Sequence, residues 1–289
     1  MVSTVSTLAT ARAETPLRAE DGRAGGRPPW SRVRPALEAA ARTVLALAIL
    51  PPLLVLASLG VLGLVLARAP RAWIDRLYTG FARAALRVAG TRVAVEGAGN
   101  VRPGEAYVVV VNHESDWDPV VLIAALRQLR LRFVVKSQTA RVPIFGPALL
   151  LTGNVRVERT HTEGDVERIR AAMAARPPEV SMLFFAEGTR SRDGALHAFK
   201  KGAFATAIGH GLPILPVGTA GTRRVWPPLT LRLRGGPVVV EVGAPIAVTG
   251  LTLESRDWLR RRTHRRVRRL RGAARERVRA LGVEPGGVD

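Results

Sequence analysis

The sequence contains no cysteine among its 289 residues. A disulfide, a thiolate nucleophile and a cysteine-ligated metal site are therefore excluded, and the lack of cysteine fits a cytosolic environment. Acids are also scarce, since 23 Asp and Glu stand against 44 Lys and Arg, a formal net charge of +21. This charge predicts an anionic partner: nucleic acid, an anionic membrane surface or a phosphorylated substrate.

Charge is missing altogether from residues 43–67, TVLALAILPPLLVLASLGVLGLVLA. As one helix this stretch would extend about 38 Å, longer than the hydrocarbon core of a bilayer. Because Pro51 and Pro52 lie inside it, we predict either a kinked membrane helix or a hairpin that enters one leaflet. A buried core helix is the alternative. A secretory signal is disfavoured because the segment starts far from the N-terminus without a cleavage site.

The chain divides into four predicted regions. Residues 1–34 are interpreted as a disordered leader, 35–90 as a membrane-associated helical segment, 91–250 as an α/β domain, and 251–289 as a basic C-terminal helix and tail. The apolar spacing within 71–90 fits a helix on a membrane surface or, equally, one packed on the domain. The arginine-rich final region fits a clamp on anionic lipid headgroups, a solvated helix face or an RNA-binding helix.

Short β-rich runs alternate with helical stretches in the third region. This alternation predicts an α/β fold, a mostly parallel sheet flanked by helices, with sites where strands end in loops. The strand candidates are RVAVEG, AYVVVVN, LRFVVKS, NVRVER, VSMLFFAEG, LPILPVGT and VVVEVG, and the helical candidates are DPVVLIAALRQL, GDVERIRAAMAAR and KGAFATAIGHG.

Ionisable residues crowd the point where one strand ends, in the sequence NHESDWD. His113 falls in the predicted loop and Asp118 in the first turn of the next helix, so the carboxylate can reach back to the imidazole. A carboxylate on one ring nitrogen leaves the other nitrogen as a general base. A purely structural His–Asp pair is the plain alternative. A metal site built from His113, Glu114 and Asp116 is a second, weaker one, because the other histidines form no ligand motif.

Two further strand ends carry basic residues. FFAEGTRS places Glu187, Gly188, Thr189 and Arg190 after a buried strand, and GNVRVER ends at Arg159. Glycine lets the backbone approach a ligand closely, and arginine can grip a phosphate with two hydrogen bonds. Taken singly, each is a weak phosphate signal, since such loops often only turn the chain.

In combination these stretches resemble the 1-acylglycerol-3-phosphate acyltransferase family of the glycerolipid acyltransferases. NHESDWD is similar to the family's histidine–four residues–aspartate block. GNVRVER, FFAEGTRS and LPILPVG are similar to its next three blocks, in the same order. The resemblance covers residues 95–242 and implies the family's acyltransferase fold, together with an apolar N-terminal anchor. Ala186 stands where the family usually has proline, which we expect to change loop stiffness rather than chemistry.

The resemblance also implies roles for individual residues. His113 would deprotonate the acceptor hydroxyl and Asp118 would orient it. Arg159 would help to hold the phosphate of a lysolipid. The acceptor site would be lined by Glu187, Gly188, Thr189 and Arg190. Arg190 would be a second contact to the phosphate.

Two implications of the resemblance are weaker. Lys136 lies where the family often has lysine and could serve the oxyanion, and Pro216 would shape the pocket.

The resulting expectation is a membrane enzyme that transfers a fatty acyl group from acyl-CoA or acyl carrier protein to a lysolipid hydroxyl. Lysophosphatidic acid is the first acceptor choice and lyso-ornithine lipid the second. No metal and no cofactor beyond the acyl donor is expected, and no specific nucleic acid. The expected location is the cytoplasmic membrane, with the active site facing the cytoplasm. A non-enzymatic basic binding protein and a metal-dependent hydrolase stay open as alternatives.

Overall fold

The computed structural model of the protein describes residues 30–158, 163–191 and 193–284. The strands of the described part are β1 Thr91–Glu96, β2 Val108–Val111, β3 Arg130–Lys136, β4 Val155–Val157, β5 Val180–Phe185, β6 Ile214–Ala220 and β7 Gly236–Val242. The helices are α1 Trp30–Leu66, α2 Arg71–Val88, α3 Asp118–Ala125, α4 Ser137–Ala140, α5 Phe145–Leu151, α6 Glu163–Ala175, α7 Gly202–Gly209, α8 Thr222–Val225 and α9 Arg256–Ala280.

The strands form one sheet in the order β1-β7-β6-β2-β5-β3-β4. Neighbouring strands run parallel except for β6 and β7, which pair antiparallel. The mostly parallel α/β sheet is thus confirmed, and each predicted strand stretch overlaps one observed strand. The central strand β2 is a run of four buried valines, as expected for a strand covered on both faces.

Alternate valines of β2 point into two different cores. Val109 and Val111 pack in a cluster with residues of α2 and α3. Val108 and Val110 pack in a second cluster with residues of α7 and α9. Because side chains alternate across a strand, this single run anchors both helical layers. The loop that follows Val111 therefore leaves a rigid strand.

The apolar segment forms one continuous helix, α1, that passes through Pro51 and Pro52. The hairpin alternative is not what the structure shows. Each proline removes one backbone donor, but α1 packs along α2 and α5, and this contact holds the helix on both sides of the prolines. Ala46 and Val61 are buried in that contact, whereas Leu56 on another face is 68% exposed.

Among the described residues, 37–66 form the one helix that is long and apolar enough to cross a membrane, judged by length and composition. The predicted leader lies largely outside the described residues, and α1 begins at Trp30 rather than near residue 35.

The basic helix α9 is part of the domain. It packs on β6 and β7, and it buries Leu259, Val267, Ala274 and Val278. Gly218 of β6 permits this contact, because a Cβ there would lie 2.3 Å from the backbone nitrogen of Arg271. The basic helix therefore packs closely on the sheet, and the four-region division of the chain stays a prediction.

The helix α2 also packs on the domain. Ile74, Ala82, Ala85 and Leu86 are buried, while Trp73 is 53% exposed at the helix's first turn. Of the two sequence interpretations, packing on the domain is thus observed.

Candidate active site

The candidate site lies at the carboxyl ends of the parallel strands β2, β3 and β5. His113 follows β2 by two residues, Phe185 ends β5, and Lys136 ends β3. The imidazole of His113 stacks on the ring of Phe185, with 3.9 Å between centroids and 18° between planes. This stacking fixes the plane of the imidazole, so the ring can only present its edges to other groups.

His113 and Asp118 form the predicted pair. Nδ1 of His113 lies 2.7 Å from Oδ2 of Asp118. The same oxygen accepts the backbone N–H groups of Glu114 at 2.7 Å and Ser115 at 2.9 Å. Asp118 is fully buried in the first turn of α3, where the helix dipole favours a negative charge. Because a carboxylate only accepts, Nδ1 carries the proton and Nε2 keeps a lone pair for a substrate hydroxyl.

The backbone of His113 is fixed by two other parts of the chain. Its N–H donates to Oε1 of Glu187 at 2.9 Å, and its carbonyl accepts the N–H of Ser191 at 2.8 Å. The neighbouring Asn112 binds the backbone of Thr219 through both ends of its amide, at 2.8 and 3.0 Å. The imidazole thus stands on a loop that is tied to the ends of both flanking strands.

Glu187 holds the loop that carries His113. It is buried, and its two carboxylate oxygens accept the backbone N–H groups of His113 and His197. Burial raises the pKa of this carboxyl, and the two amide donors oppose that effect. Glu187 is not among the residues that line the cavity described below, and its role in the acceptor site stays a prediction.

Arg190 is the member of the predicted acceptor set that reaches the site. Its guanidinium pairs with the carboxylate of Asp116, and both side chains line the cavity beside His113. Gly188 adopts a φ of +77°, and Thr189 is exposed on the same loop. Arg159 lies outside the described residues, so its phosphate role stays a prediction.

Lys136 lines the same cavity, whereas Pro216 is buried within β6 and lines none. The oxyanion role of Lys136 stays a prediction.

Glu114 turns away from His113 into the domain. It is 3% exposed, and its Oε1 lies 2.5 Å from Nε of Arg271 on α9. Burial raises the pKa of the Glu114 carboxyl, and the charge of Arg271 partly offsets this effect. Within the described residues no three His, Asp or Glu side chains converge to hold a metal ion. Glu114 and Asp116, the two acids of the metal alternative, are each paired with an arginine instead.

An apolar cavity of about 690 Å³ opens beside His113. We call it the reaction cavity. Its walls come from α1, α2, α3, α5 and β3. His113, Trp226 and Phe185 lie among its lining residues, and so do Val61 and Ala148. Val61 and Ala148 also belong to a small separate core cluster of α1, α2 and α5, so this part of the cavity wall is formed by packed helices. A flexible apolar chain could therefore lie along α1 with its head at His113.

Sequence reasoning missed several of these residues. Phe185 stands inside a quoted motif and could have been singled out from it, whereas Asp116 was considered only as a metal ligand. Arg271 is one of many arginines in α9, and nothing in its local sequence marks it. The α1 residues of the cavity wall were assigned to a membrane segment or a buried core helix, and not to a site.

Comparison with known proteins bears on the same residues. Residues 92–220 match the family model described as acyltransferase. The chain is 32% identical over 162 residues to a 1-acyl-sn-glycerol-3-phosphate acyltransferase of Cocos nucifera, covering 55% of this chain and 51% of that one. It is 33% identical over 150 residues to the Haemophilus influenzae protein of the same name, covering 51% and 61%.

The human 1-acyl-sn-glycerol-3-phosphate acyltransferase alpha is 31% identical over 165 residues, covering 56% of this chain and 58% of that protein. The chain thus spans a little over half the length of these curated relatives. A crystal structure of the 1-acyl-sn-glycerophosphate acyltransferase of Thermotoga maritima matches with a TM-score of 0.68 at 22% identity, over 82% of this chain and 97% of that one. The fold is therefore shared, and the family resemblance drawn from the sequence is confirmed.

Proposed function

We propose that this chain, which carries an acyltransferase domain over residues 92–220, is a membrane-attached O-acyltransferase of lysolipids. It would move a fatty acyl group from acyl-CoA or acyl carrier protein to the free hydroxyl of 1-acyl-glycerol-3-phosphate and so form phosphatidic acid. The observation that carries the proposal is the His113–Asp118 pair beside a long apolar cavity. A general base and an acyl-sized cavity in contact are what this transfer requires.

The chemistry follows from the geometry of His113. Nε2 accepts the proton of the acceptor hydroxyl while that oxygen attacks the carbonyl carbon of the thioester. The C–O bond forms, the C–S bond breaks, and the imidazolium returns its proton to the leaving thiolate. Asp118 stabilises the imidazolium and keeps the proton on Nδ1 in the resting state. No covalent acyl-enzyme is formed, in keeping with the absence of cysteine.

The acceptor would bind at the mouth of the cavity. Arg190, 27% exposed, supplies a guanidinium that can grip a phosphate in place of Asp116. Arg159, Gly188 and Thr189 are proposed to complete the phosphate site, and Lys136 to face the thioester oxygen. The names of the relatives support lysophosphatidic acid as the acceptor.

The net positive charge of the chain suits both the acyl donor and the membrane surface. A net charge of +21 attracts both a polyanionic thioester carrier and an anionic bilayer surface. The exposed apolar face of α1 would hold the enzyme at the cytoplasmic membrane, with the site on the cytoplasmic side where acyl thioesters are available. No cofactor beyond the acyl donor is proposed.

A lysolipid without a phosphate is the second candidate acceptor, because the carboxylate of Asp116 lies beside Arg190 at the site. The Asp116 side chain is 58% exposed, so the pair offers one anion and one cation to a ligand. A lysolipid whose headgroup carries both an amine and a carboxylate, such as lyso-ornithine lipid, would fit that pair.

The test is acyl transfer by membranes that contain the protein, with labelled acyl-CoA or acyl carrier protein and a panel of lysolipids. His113→Ala should lower the rate by about 10²–10⁴-fold. His210→Ala is the matched control, because His210 follows the last residue of α7 and does not line the reaction cavity. Equal rates in wild type and His113→Ala would remove the imidazole as the base. Acylation of a phosphate-free lysolipid alone would keep the chemistry and replace the acceptor.

A further inference from the structure

A second cavity, of about 490 Å³, lies near the amino ends of β3 and β5. Arg132, near the start of β3, and Val180, the first residue of β5, are among its lining residues. The reaction cavity reaches the carboxyl end of β2 at His113, and the two cavities share one lining residue, Asn154. Four arginines line the second cavity: Arg68, Arg71, Arg132 and Arg176. We call it the arginine cavity, and we propose that it binds the phosphate of an anionic lipid headgroup.

The charge of this cavity is not balanced within its walls. Among the described residues, no Asp or Glu lines it. Arg132 is paired at 2.9 Å with Asp75, which lies behind the wall. Arg68 and Arg71 are exposed and form no ion pair with any described residue. Two uncompensated guanidinium groups in one concavity are the arrangement that recognises a phosphate.

The backbone adds to this positive field. Helix α2 starts at Arg71 on the cavity wall, and no side chain caps its first turn and no acid lies in it. The amino end of a helix attracts anions through its free N–H groups and its dipole. Arg68 has a φ of 51°, in the left-handed region that favours glycine. This conformation ends α1, with the N–H of Ala69 bonded to the carbonyl of Leu64, and it places Arg68 between two helices at the cavity.

Arg176 completes the wall from the end of α6. Its Nη1 donates to the carbonyls of Pro177 at 3.0 Å, Pro178 at 2.9 Å and Val180 at 3.0 Å. Its Nε is buried without a hydrogen-bond partner among the described residues. The guanidinium is therefore fixed in place at the wall of the cavity.

The rim of the cavity favours a lipid over a soluble anion. Leu150 and Leu151 belong to the lining, and Leu151 is 61% exposed. Leu66, the last residue of α1, is 84% exposed next to the lining residue Val65. An apolar rim at the end of the candidate membrane helix can contact acyl chains while the arginines contact the headgroup.

The experiment measures binding to the full chain held in zwitterionic detergent. The probes are short-chain phosphatidylglycerol, short-chain phosphatidylcholine and inorganic phosphate, with no acyl donor present. The test variant is Arg68→Gln/Arg71→Gln. The matched control is Arg76→Gln/Arg83→Gln, which removes the same charge from exposed arginines of α2 that line neither cavity.

We expect saturable binding of phosphatidylglycerol that weakens about tenfold or more in the test variant and stays nearly unchanged in the control. Phosphatidylcholine should bind less tightly than phosphatidylglycerol. If inorganic phosphate shows the same loss and phosphatidylglycerol does not bind, the arginine cavity holds a soluble phosphate instead of a headgroup. Equal weakening in the test and control variants would overturn the proposal, because only the overall charge would then matter.

Arg190→Gln separates this site from the reaction cavity. Binding of phosphatidylglycerol should persist in that variant, because Arg190 lines only the reaction cavity. Loss of binding in Arg190→Gln alone would place the lipid in the reaction cavity and overturn the proposal. Since no turnover is measured, the result does not depend on the proposed acyl transfer.

Discussion

Arg271, on the C-terminal helix, donates from Nε to Oε1 of Glu114 at 2.5 Å, next to the proposed base. Both side chains are buried, at 8% and 3% exposed. The same guanidinium also donates to the carbonyl of Gly194. One arginine therefore ties together α9, the loop after β2 and the loop after β5. The basic helix thus supports the site from within the domain through Arg271.

Arg271→Met should destabilise the fold, because it leaves the Glu114 carboxylate buried without its charge partner. We expect a loss of about 3–5 kcal/mol in the free energy of unfolding, measured by chemical denaturation in detergent. Arg268→Met, an exposed change on the same helix, should cost little. Adding Glu114→Gln to Arg271→Met should recover part of the loss. If the double variant is no more stable than Arg271→Met alone, the buried charge is not the cause.

Arg190→Gln should separate the two acceptor classes. With lysophosphatidic acid we expect KM to rise about tenfold or more, because a charge-assisted contact to phosphate is lost. With a phosphate-free lysolipid, KM should change much less. Arg141→Gln is the control, since Arg141 is exposed and does not line the reaction cavity. Equal effects on both acceptors would show that Arg190 serves the structure of the loop.

Ala57→Phe should shorten the acyl chains that the enzyme accepts. Ala57 lines the reaction cavity from α1, and a phenyl ring there would occupy space that a long chain needs. Each methylene of the acyl chain that can no longer be buried loses about 0.8 kcal/mol of binding free energy. The value of kcat/KM should therefore fall for long-chain donors and stay unchanged for short-chain donors. Leu56→Phe, at a site 68% exposed, is the control. An unchanged chain-length profile would mean that the acyl chain lies elsewhere.

Asp193 should stay ionised to unusually low pH. Its carboxylate accepts the N–H of Ala195, the hydroxyl of Ser191 and Nε2 of His197, which lowers its pKa from 3.8 to about 2. A depressed carboxyl pKa contributes stability above 3.8 that is lost as pH falls towards 2. The backbone N–H of Ser191 donates to the carbonyl of His113. The loop that contains Ser191 and Asp193 should therefore become less stable as the pH falls from 3.8 towards 2.

Carbon NMR of the labelled Asp193 carboxyl is the measurement, with Asp193→Asn to assign the signal. A midpoint near 3.8 would contradict the expected shift.

Local patterns in the sequence predicted much of this structure. Each strand run is short, apolar and self-contained, so the strands could be located one at a time. His113 and Asp118 are five positions apart across a strand–helix junction. Few backbone conformations connect such a strand and helix, so the contact between the two side chains could be predicted. The packing of α1 on α2 and α5 was not predictable, because it overrides the usual effect of Pro51 and Pro52.

Long-range contacts account for what was missed. Glu114 and Arg271 are 157 positions apart, and the sequence offers many arginines as partners. Glu187 was placed on the loop after β5, but only the fold shows that its oxygens accept the backbone N–H groups of His113 and His197. The arginine cavity joins residues from α1, α2, β3 and α6, so no single stretch of sequence indicates it.

The reaction cavity has α1 as one of its walls, and this limits how the protein can be engineered. Leu50, Leu54 and Ala57 face the interior, while Leu56 faces outward on the same helix. A truncation that removes α1 to obtain a water-soluble form would also open the cavity to solvent. Replacing α1 with an unrelated hydrophobic anchor would restore attachment to the bilayer but not the cavity wall. Solubility therefore has to be improved at the outward residues alone, with the inward residues left as they are.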